Sequence, residues 1–191
     1  MDSTPWASDA EVIVASWHDP VRFEVVFSRH FGTVFRFLAG RAPRDEAADM
    51  AAEVFVRAFA RRRRYRPDRP SALPWLLGMA VNVLREWTRR LARADRAHRR
   101  SSSDLEADVD TGDAEARMDA DESAPALRRA LAGLSLDEYN VLVLAALHQL
   151  TYPEIADTLG IPLGTVRSRL ARARRRAREL IGPDRRIYMD G

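Results

Sequence analysis

Arginine side chains dominate the stretch from Leu163 to Arg178, and their chemistry is that of polyanion binding. Seven arginines and no acidic residue occur there. A guanidinium group keeps its charge at all physiological pH values and donates hydrogen bonds in a planar fork that suits phosphates and base edges. A run of this kind is also typical of a solvated basic face, so the elements that carry it decide between the two interpretations.

The arginines lie on the second of two helices that the local sequence predicts. Thr151 and Glu154 have the spacing of a capping box, and Gly160 can form the left-handed corner after the first helix. Val166, Leu170, Ala173, Ala177 and Ile181 recur at helical spacing and should be buried. This pattern predicts a helix-turn-helix whose second helix enters the DNA major groove. We expect base contacts from Ser168 and Arg172 and further DNA contacts from four neighbours, Thr165, Arg167, Arg169 and Arg176.

Composition bounds the remaining possibilities. The chain has 191 residues, of which 46% are hydrophobic, enough for one domain or two small ones. It has no cysteine, and its four histidines are scattered, so neither a metal site nor a cofactor is expected. There is no phosphate loop or serine-centred elbow, which makes an enzyme improbable. Neither a secretory signal nor an 18-residue apolar run occurs, so we expect a cytoplasmic protein without membrane insertion.

Charge divides the chain into blocks that predict its domains. Thirteen arginines lie between residues 61 and 100, and nine acidic residues lie between 104 and 122. The acidic segment is poor in apolar residues and predicts a flexible linker, about 75 Å long when extended. We expect an all-α fold with an N-terminal extension (1–19), a helical domain (20–100), the linker (101–123), a helix-turn-helix domain (124–182) and a tail (183–191).

Three helices are predicted in the first domain, over about 20–39, 45–63 and 71–93. The buried face of the first should comprise Phe23, Val26, Phe27, Phe31, Val34 and Leu38. The second begins with acidic residues, which either only stabilise the helix or form a docking surface for a protein partner. Prolines predict an exposed loop over 65–71. Its tyrosine and arginines suit unpaired DNA, although a solvated basic surface remains an alternative.

Three motifs in order resemble bacterial RNA polymerase sigma factors of the extracytoplasmic-function type, over about residues 20–182. EAADMAAEVFVRAF (46–59) is similar to the family's polymerase-binding segment, with Asp49, Glu53 and Phe55 matching. PWLLGMAVNVLREWTRR (74–90) resembles its segment beside the −10 element, with Trp75 and Asn82 among the matches. TYPEIADTLGIPLGTVRSRLARAR follows the family's helix-turn-helix almost throughout.

The resemblance implies partners and roles. The first domain would dock on the β′ clamp helices of the RNA polymerase core through Asp45, Glu46, Asp49, Glu53, Phe55 and Arg57. It would hold the single-stranded −10 element of promoter DNA through Tyr65, Arg66, Trp75, Asn82, Arg85 and Arg89. The second domain would contact the β flap and read the double-stranded −35 element, and many relatives have an anti-sigma factor. The alternative is a LuxR-like regulator that binds operator DNA without being a polymerase subunit.

Overall fold

A computed structural model of the chain describes residues 8–101 and 129–181, and these residues form helices and no strands. The described residues include seven α-helices: α1 Asp9–Ala15, α2 Glu24–Ala39, α3 Arg44–Arg61, α4 Leu73–Ser101, α5 Leu136–Ala146, α6 Tyr152–Leu159 and α7 Leu163–Ile181. Short 3-10 helices occupy Pro20–Phe23 and Arg62–Arg64. The tail and nearly all of the predicted linker lie outside the described residues.

Helices α2, α3 and α4 form a bundle, and α1 packs against it. Ile13 of α1 is completely buried, so residues 9–15 are part of the first domain's core rather than a loose extension. The predicted buried face of α2 is wrong at Phe27, whose side chain is 40% exposed, whereas Phe37 is buried. Helix α4 continues past the predicted end near 93 to Ser101, because its last turns are rich in alanine and arginine, which favour helix without tertiary support.

Helices α5, α6 and α7 form the second group. Helix α5 begins with the predicted capping box, in which Ser135 and Glu138 exchange hydrogen bonds. Every residue from Glu138 to Leu144 is buried, so α5 is covered on all sides. Tyr139 of α5 packs against Phe37 of the first domain, with ring centroids 5.8 Å apart.

The two groups are in direct contact. The Tyr139 hydroxyl on α5 donates a 2.7 Å hydrogen bond to the Phe37 carbonyl at the end of α2. The Arg41 guanidinium donates to the carbonyl oxygens of Leu131, Ala132 and Leu134 at 2.9–3.1 Å. These carbonyls lie at the C-terminal end of a helical turn, where a cation is favoured. The structure therefore places the two groups of helices in a closed arrangement.

Candidate nucleic-acid interface

The helix-turn-helix forms by the local rules that predicted it. Thr151 caps α6, and its backbone N–H donates to the Glu154 carboxylate at 2.8 Å. Gly160 adopts φ 63°, ψ 40°, the left-handed conformation that lets the chain turn sharply into α7. Val166, Leu170, Ala173 and Ala177 are buried along one side of α7, as predicted.

The opposite side of α7 presents most of the predicted DNA contacts to solvent. Arg167, Ser168, Arg172 and Arg176 are exposed, and Thr165 is half-buried. The Ser168 hydroxyl donates to the Thr165 carbonyl at 3.1 Å, which leaves its oxygen able to accept. Arg169 differs, because its side chain is only 20% exposed and its Nη2 lies 2.6 Å from Asp137 Oδ2. Its guanidinium is already committed to a carboxylate of α5.

A cavity of about 480 Å³ lies between the loop over 65–71, α4 and α6. Tyr65, Arg66, Trp75 and Asn82, all predicted at the −10 element, line it together. Arg61, Arg64 and Arg69 add positive charge to its wall. A compartment with aromatic rings, an amide and guanidinium groups can accept a nucleic-acid base with its phosphate nearby.

Tyr65 does not stand free for stacking, which corrects the prediction of an exposed aromatic loop. Its ring is buried and meets Trp75 edge to face at 5.1 Å between centroids. Its hydroxyl donates to the Arg69 carbonyl at 2.6 Å. Burial, helped by the charge of Asp9, raises the pKa of Tyr65 to about 12, so the phenol stays protonated. Tyr65 fixes the shape of its loop, and Trp75, half-buried beside it, is the ring with an exposed surface.

The other predicted −10 residues lie outside the cavity lining. Arg85 Nη2 donates to Asp137 Oδ1 at 3.1 Å, and Arg89 is exposed further along α4. Asp137 thus contacts one arginine predicted at each promoter element. A second carboxylate, Asp157 on α6, lies 2.6 Å from Arg69 at the cavity wall. Sequence reasoning missed both aspartates, because one carboxylate in a helix carries no local signal of a distant arginine.

The predicted polymerase-docking face on α3 is present in part. Asp45, Glu46 and Asp49 are exposed. Glu53 and Arg57 form an ion pair at 2.6 Å, and Arg57 also contacts Glu86 at 2.6 Å. The hydrogen bond that Arg57 donates to Glu86, offset by some desolvation and joined by the one it donates to Glu53, raises the pKa of Arg57.

Phe55 does not belong to this exposed face. Its side chain is 4% exposed and packs against Phe27 and Phe31 with ring centroids 4.9 and 6.0 Å away. Burying an aromatic ring on the inward side of a three-helix bundle is more favourable in free energy than exposing it to solvent. Phe55 is therefore left out of the exposed docking surface proposed below, and its contact with polymerase stays a prediction.

The part of the chain that the structure covers shows neither a metal site nor a membrane-spanning helix. Across residues 8–101 and 129–181, no group of three histidine, aspartate or glutamate side chains is arranged to hold a metal ion. Among the helices of those same ranges, none is long and apolar enough to cross a membrane.

Comparison with known proteins assigns the class. Residues 26–94 match the family described as Sigma-70 region 2, and residues 125–176 match Sigma-70, region 4. The chain therefore belongs to the sigma-70 family of RNA polymerase sigma factors, in its extracytoplasmic-function group. As a member it directs promoter-specific transcription, and the operator-binding regulator is not favoured. Sigma factors are not enzymes.

Individual relatives agree with this assignment. The chain is 34% identical over 141 residues to the ECF RNA polymerase sigma factor SigC of Mycobacterium tuberculosis, covering 74% of this chain and 73% of that protein. It is 32% identical to the RNA polymerase sigma factor CarQ of Myxococcus xanthus, covering 84% and 89%. The solved sigma factor RpoE of Bartonella quintana, in complex with the anti-sigma factor NepR, shares the fold with a TM-score of 0.64 at 21% identity, over 85% of this chain and 98% of that one.

Proposed function

We propose that this sigma factor reads its promoter with two surfaces, the exposed side of α7 at the −35 element and the cavity beside α4 at the −10 element. The observation that carries the first assignment is the exposure of Arg167, Ser168 and Arg172 on a helix whose opposite stripe is buried. Residues near the N-terminus of a recognition helix lie closest to base edges in the major groove. Arg176, further along, suits the phosphate backbone.

At the −10 element, we assign a base of the opened strand to the first-domain wall of this cavity, which the loop over 65–71 and α4 form; the α6 wall leaves with the second domain when the closed arrangement opens. Extruding a base costs a few kcal/mol, which a fitted compartment can return through stacking and hydrogen bonds. Trp75 offers the ring surface, and the Asn82 side chain offers both a donor and an acceptor. Arg66 and Arg89 are placed to meet phosphates. Tyr65 acts indirectly, by holding the loop.

Docking on core polymerase is assigned to the exposed acidic residues of α3. Asp45, Glu46 and Asp49 present negative charge without an apolar cluster, which favours a polar partner surface of opposite charge. Glu53 and Arg57 extend this surface as an ion pair. We place the protein in the cytoplasm with the polymerase and the chromosome, and we assign no bond chemistry to it. An anti-sigma factor is proposed as a further partner, because the solved RpoE is bound to one.

DNA binding requires the closed arrangement to open. The −35 and −10 elements lie about 25 base pairs apart, which is about 85 Å at 3.4 Å per pair. Here, Arg85 and Arg169, each assigned to a different element, contact the same aspartate. Both surfaces cannot reach their elements until the Arg85–Asp137 contact, which joins the two domains, breaks. The acidic segment between the domains, about 75 Å long when extended, permits a large separation.

Run-off transcription with core polymerase on a randomised promoter library tests the assignment. The wild-type protein should select a −35 and a −10 sequence at a fixed separation. Arg172→Ala should relax selection at one −35 position and weaken promoter use by the equivalent of about 1–3 kcal/mol. Arg22→Ala, which removes an exposed arginine of the first domain, is the matched control. Unchanged −35 selection by Arg172→Ala would refute the assignment of α7.

A further inference from the structure

Helix α1 precedes the region-2 match, which begins at residue 26, yet it is built firmly into the first domain. Its first residue, Asp9, is 6% exposed. The Asp9 carboxylate accepts hydrogen bonds from Arg29 Nη1 at 3.0 Å and from the Ala72 backbone N–H at 2.8 Å, and it lies 2.6 Å from His30 Nε2. A buried carboxylate is expensive unless it is paired in this way, so the arrangement is specific.

Two of the Asp9 contacts reach the loop beside the cavity. The carboxylate holds the Ala72 N–H, and the Asp9 backbone N–H donates to the Pro70 carbonyl at 3.1 Å. Pro70 and Ala72 end the loop and lead directly into α4. Because the loop over 65–71 has no regular structure of its own, these bonds fix where it ends.

The residues after α1 fix the other end of the loop. Trp17 Nε1 donates to the Arg62 carbonyl at 3.2 Å, and Arg62 Nε donates to the Ser16 carbonyl at 3.2 Å. Arg63 Nη2 donates to the Trp17 carbonyl at 3.4 Å. Arg62 and Arg63 belong to the 3-10 helix that precedes Tyr65. The segment from Asp9 to Trp17 therefore spans the loop and binds its backbone at both ends.

We propose that Asp9 is a positioning residue for −10 recognition, and that Trp17 supports it from the other end of the same loop. Asp9 does not reach DNA in this assignment. It sets the position of Pro70 and Ala72, and through them the separation between the loop's Arg66 and the α4 residue Trp75 across the cavity. A binding compartment loses discrimination when the shell that supports it is loosened by about 1 Å.

This inference rests on the proposed role of the cavity at the −10 element. The competing interpretation is that α1 only stabilises the bundle, through buried residues such as Ile13. A structural role would lower the free energy of unfolding without changing which −10 sequence is preferred. A positioning role changes −10 preference while −35 affinity and core affinity stay the same.

The test uses the full chain in complex with core polymerase. The DNA is a fork with a single-stranded −10 segment that carries a fluorescent base analogue at each position in turn. Asp9→Asn removes the charge but keeps the side-chain shape, and Trp17→Phe removes one donor but keeps a ring. Glu11→Gln is the matched control, because Glu11 lies on the same helix, is exposed and loses the same charge, and glutamine can keep the capping-box hydrogen bonds with Ser8.

We expect Asp9→Asn and Trp17→Phe each to weaken binding of the preferred −10 strand about ten-fold. Each variant should also reduce the ratio of affinities between the preferred strand and other −10 sequences. Affinity for −35 duplex and for core polymerase should match wild type, as should all properties of Glu11→Gln. If both variants fold and keep the wild-type −10 preference, the proposal is overturned, even if their stability falls. If Asp9→Asn does not fold, the −10 preference of Trp17→Phe alone decides. If the wild-type protein itself shows no −10 preference, it is the proposed function of the cavity that fails.

Discussion

Asp137 joins the two proposed DNA-reading surfaces, so its replacement tests whether the closed arrangement restrains them. Its two carboxylate oxygens contact Arg85 at 3.1 Å and Arg169 at 2.6 Å. The side chains of the three residues are 42%, 26% and 20% exposed, so solvent screens the pairs in part. Partly exposed ion pairs contribute about 0.2–1 kcal/mol each. Only the Arg85–Asp137 pair joins the two groups of helices, because Asp137 and Arg169 both belong to the second group, so Asp137→Ala should destabilise the closed arrangement by about 0.2–1 kcal/mol.

A change of that size raises the ratio of open to closed molecules by about 1.4- to five-fold. The chain has no cysteine, so Ser28→Cys and Ala171→Cys provide two unique dye positions, one in each domain. Single-molecule energy transfer without DNA should show a larger low-transfer population for Asp137→Ala than for wild type. Affinity for −35 duplex should rise in parallel.

The control separates opening from net charge. Glu179→Ala also removes one acidic residue and lies on α7 itself, but its carboxylate contacts Arg175 on the same helix rather than the first domain. This variant should leave the energy-transfer distribution unchanged. The reasoning is refuted if Asp137→Ala leaves the distribution unchanged, or if Glu179→Ala shifts it equally.

Three further predictions concern docking, the turn and the acid range. Asp49→Arg should weaken binding to core polymerase about ten-fold, as measured by titration, whereas Glu24→Arg on α2 should leave that affinity unchanged. Gly160→Ala should lower the free energy of unfolding by about 1–2 kcal/mol in urea because of its positive φ, and Gly164→Ala, inside α7, should not. Burial alone would raise the pKa of Asp9, but hydrogen bonds from His30, Ala72 and Arg29 lower it to about 2. The ionised Asp9 should contribute about 2 kcal/mol to the free energy of unfolding above about pH 4, and this contribution should decrease as pH falls towards 2. The difference in stability between wild type and Asp9→Asn should therefore disappear in acid.

The features that could be predicted from sequence are those set by near neighbours. A capping box needs two residues three positions apart, and Thr151 with Glu154 satisfies it whatever the rest of the chain does. Gly160 adopts the left-handed conformation because it has no Cβ, and α7 buries its stripe because the stripe recurs every turn. The helix-turn-helix and its exposed arginines followed from these rules alone.

The features that could not be predicted depend on residues far apart in the chain. Arg85 and Asp137 are 52 positions apart, and in sequence Asp137 is only an acid in the first turn of a helix. Asp9 likewise lies in the first turn of α1, and the residues that its buried carboxylate contacts are 20 to 63 positions away in the sequence. One available signal was the apolar run in α5, which is too continuous for a helix with a solvated side.

The closed arrangement also changes what the arginines contribute to DNA binding. An exposed guanidinium that neutralises a phosphate contributes about 0.9 to the salt slope through counterion release. Arg169 and Arg85 already lie beside a carboxylate, so binding DNA exchanges one anion for another and releases less. The free protein should therefore bind DNA with a shallower slope than its arginine content implies. Polymerase, by separating the domains on its surface, would provide Arg85 to the promoter without that exchange, whereas Arg169 stays beside Asp137 in its own domain. The release of Arg85 links promoter reading to assembly with the core enzyme.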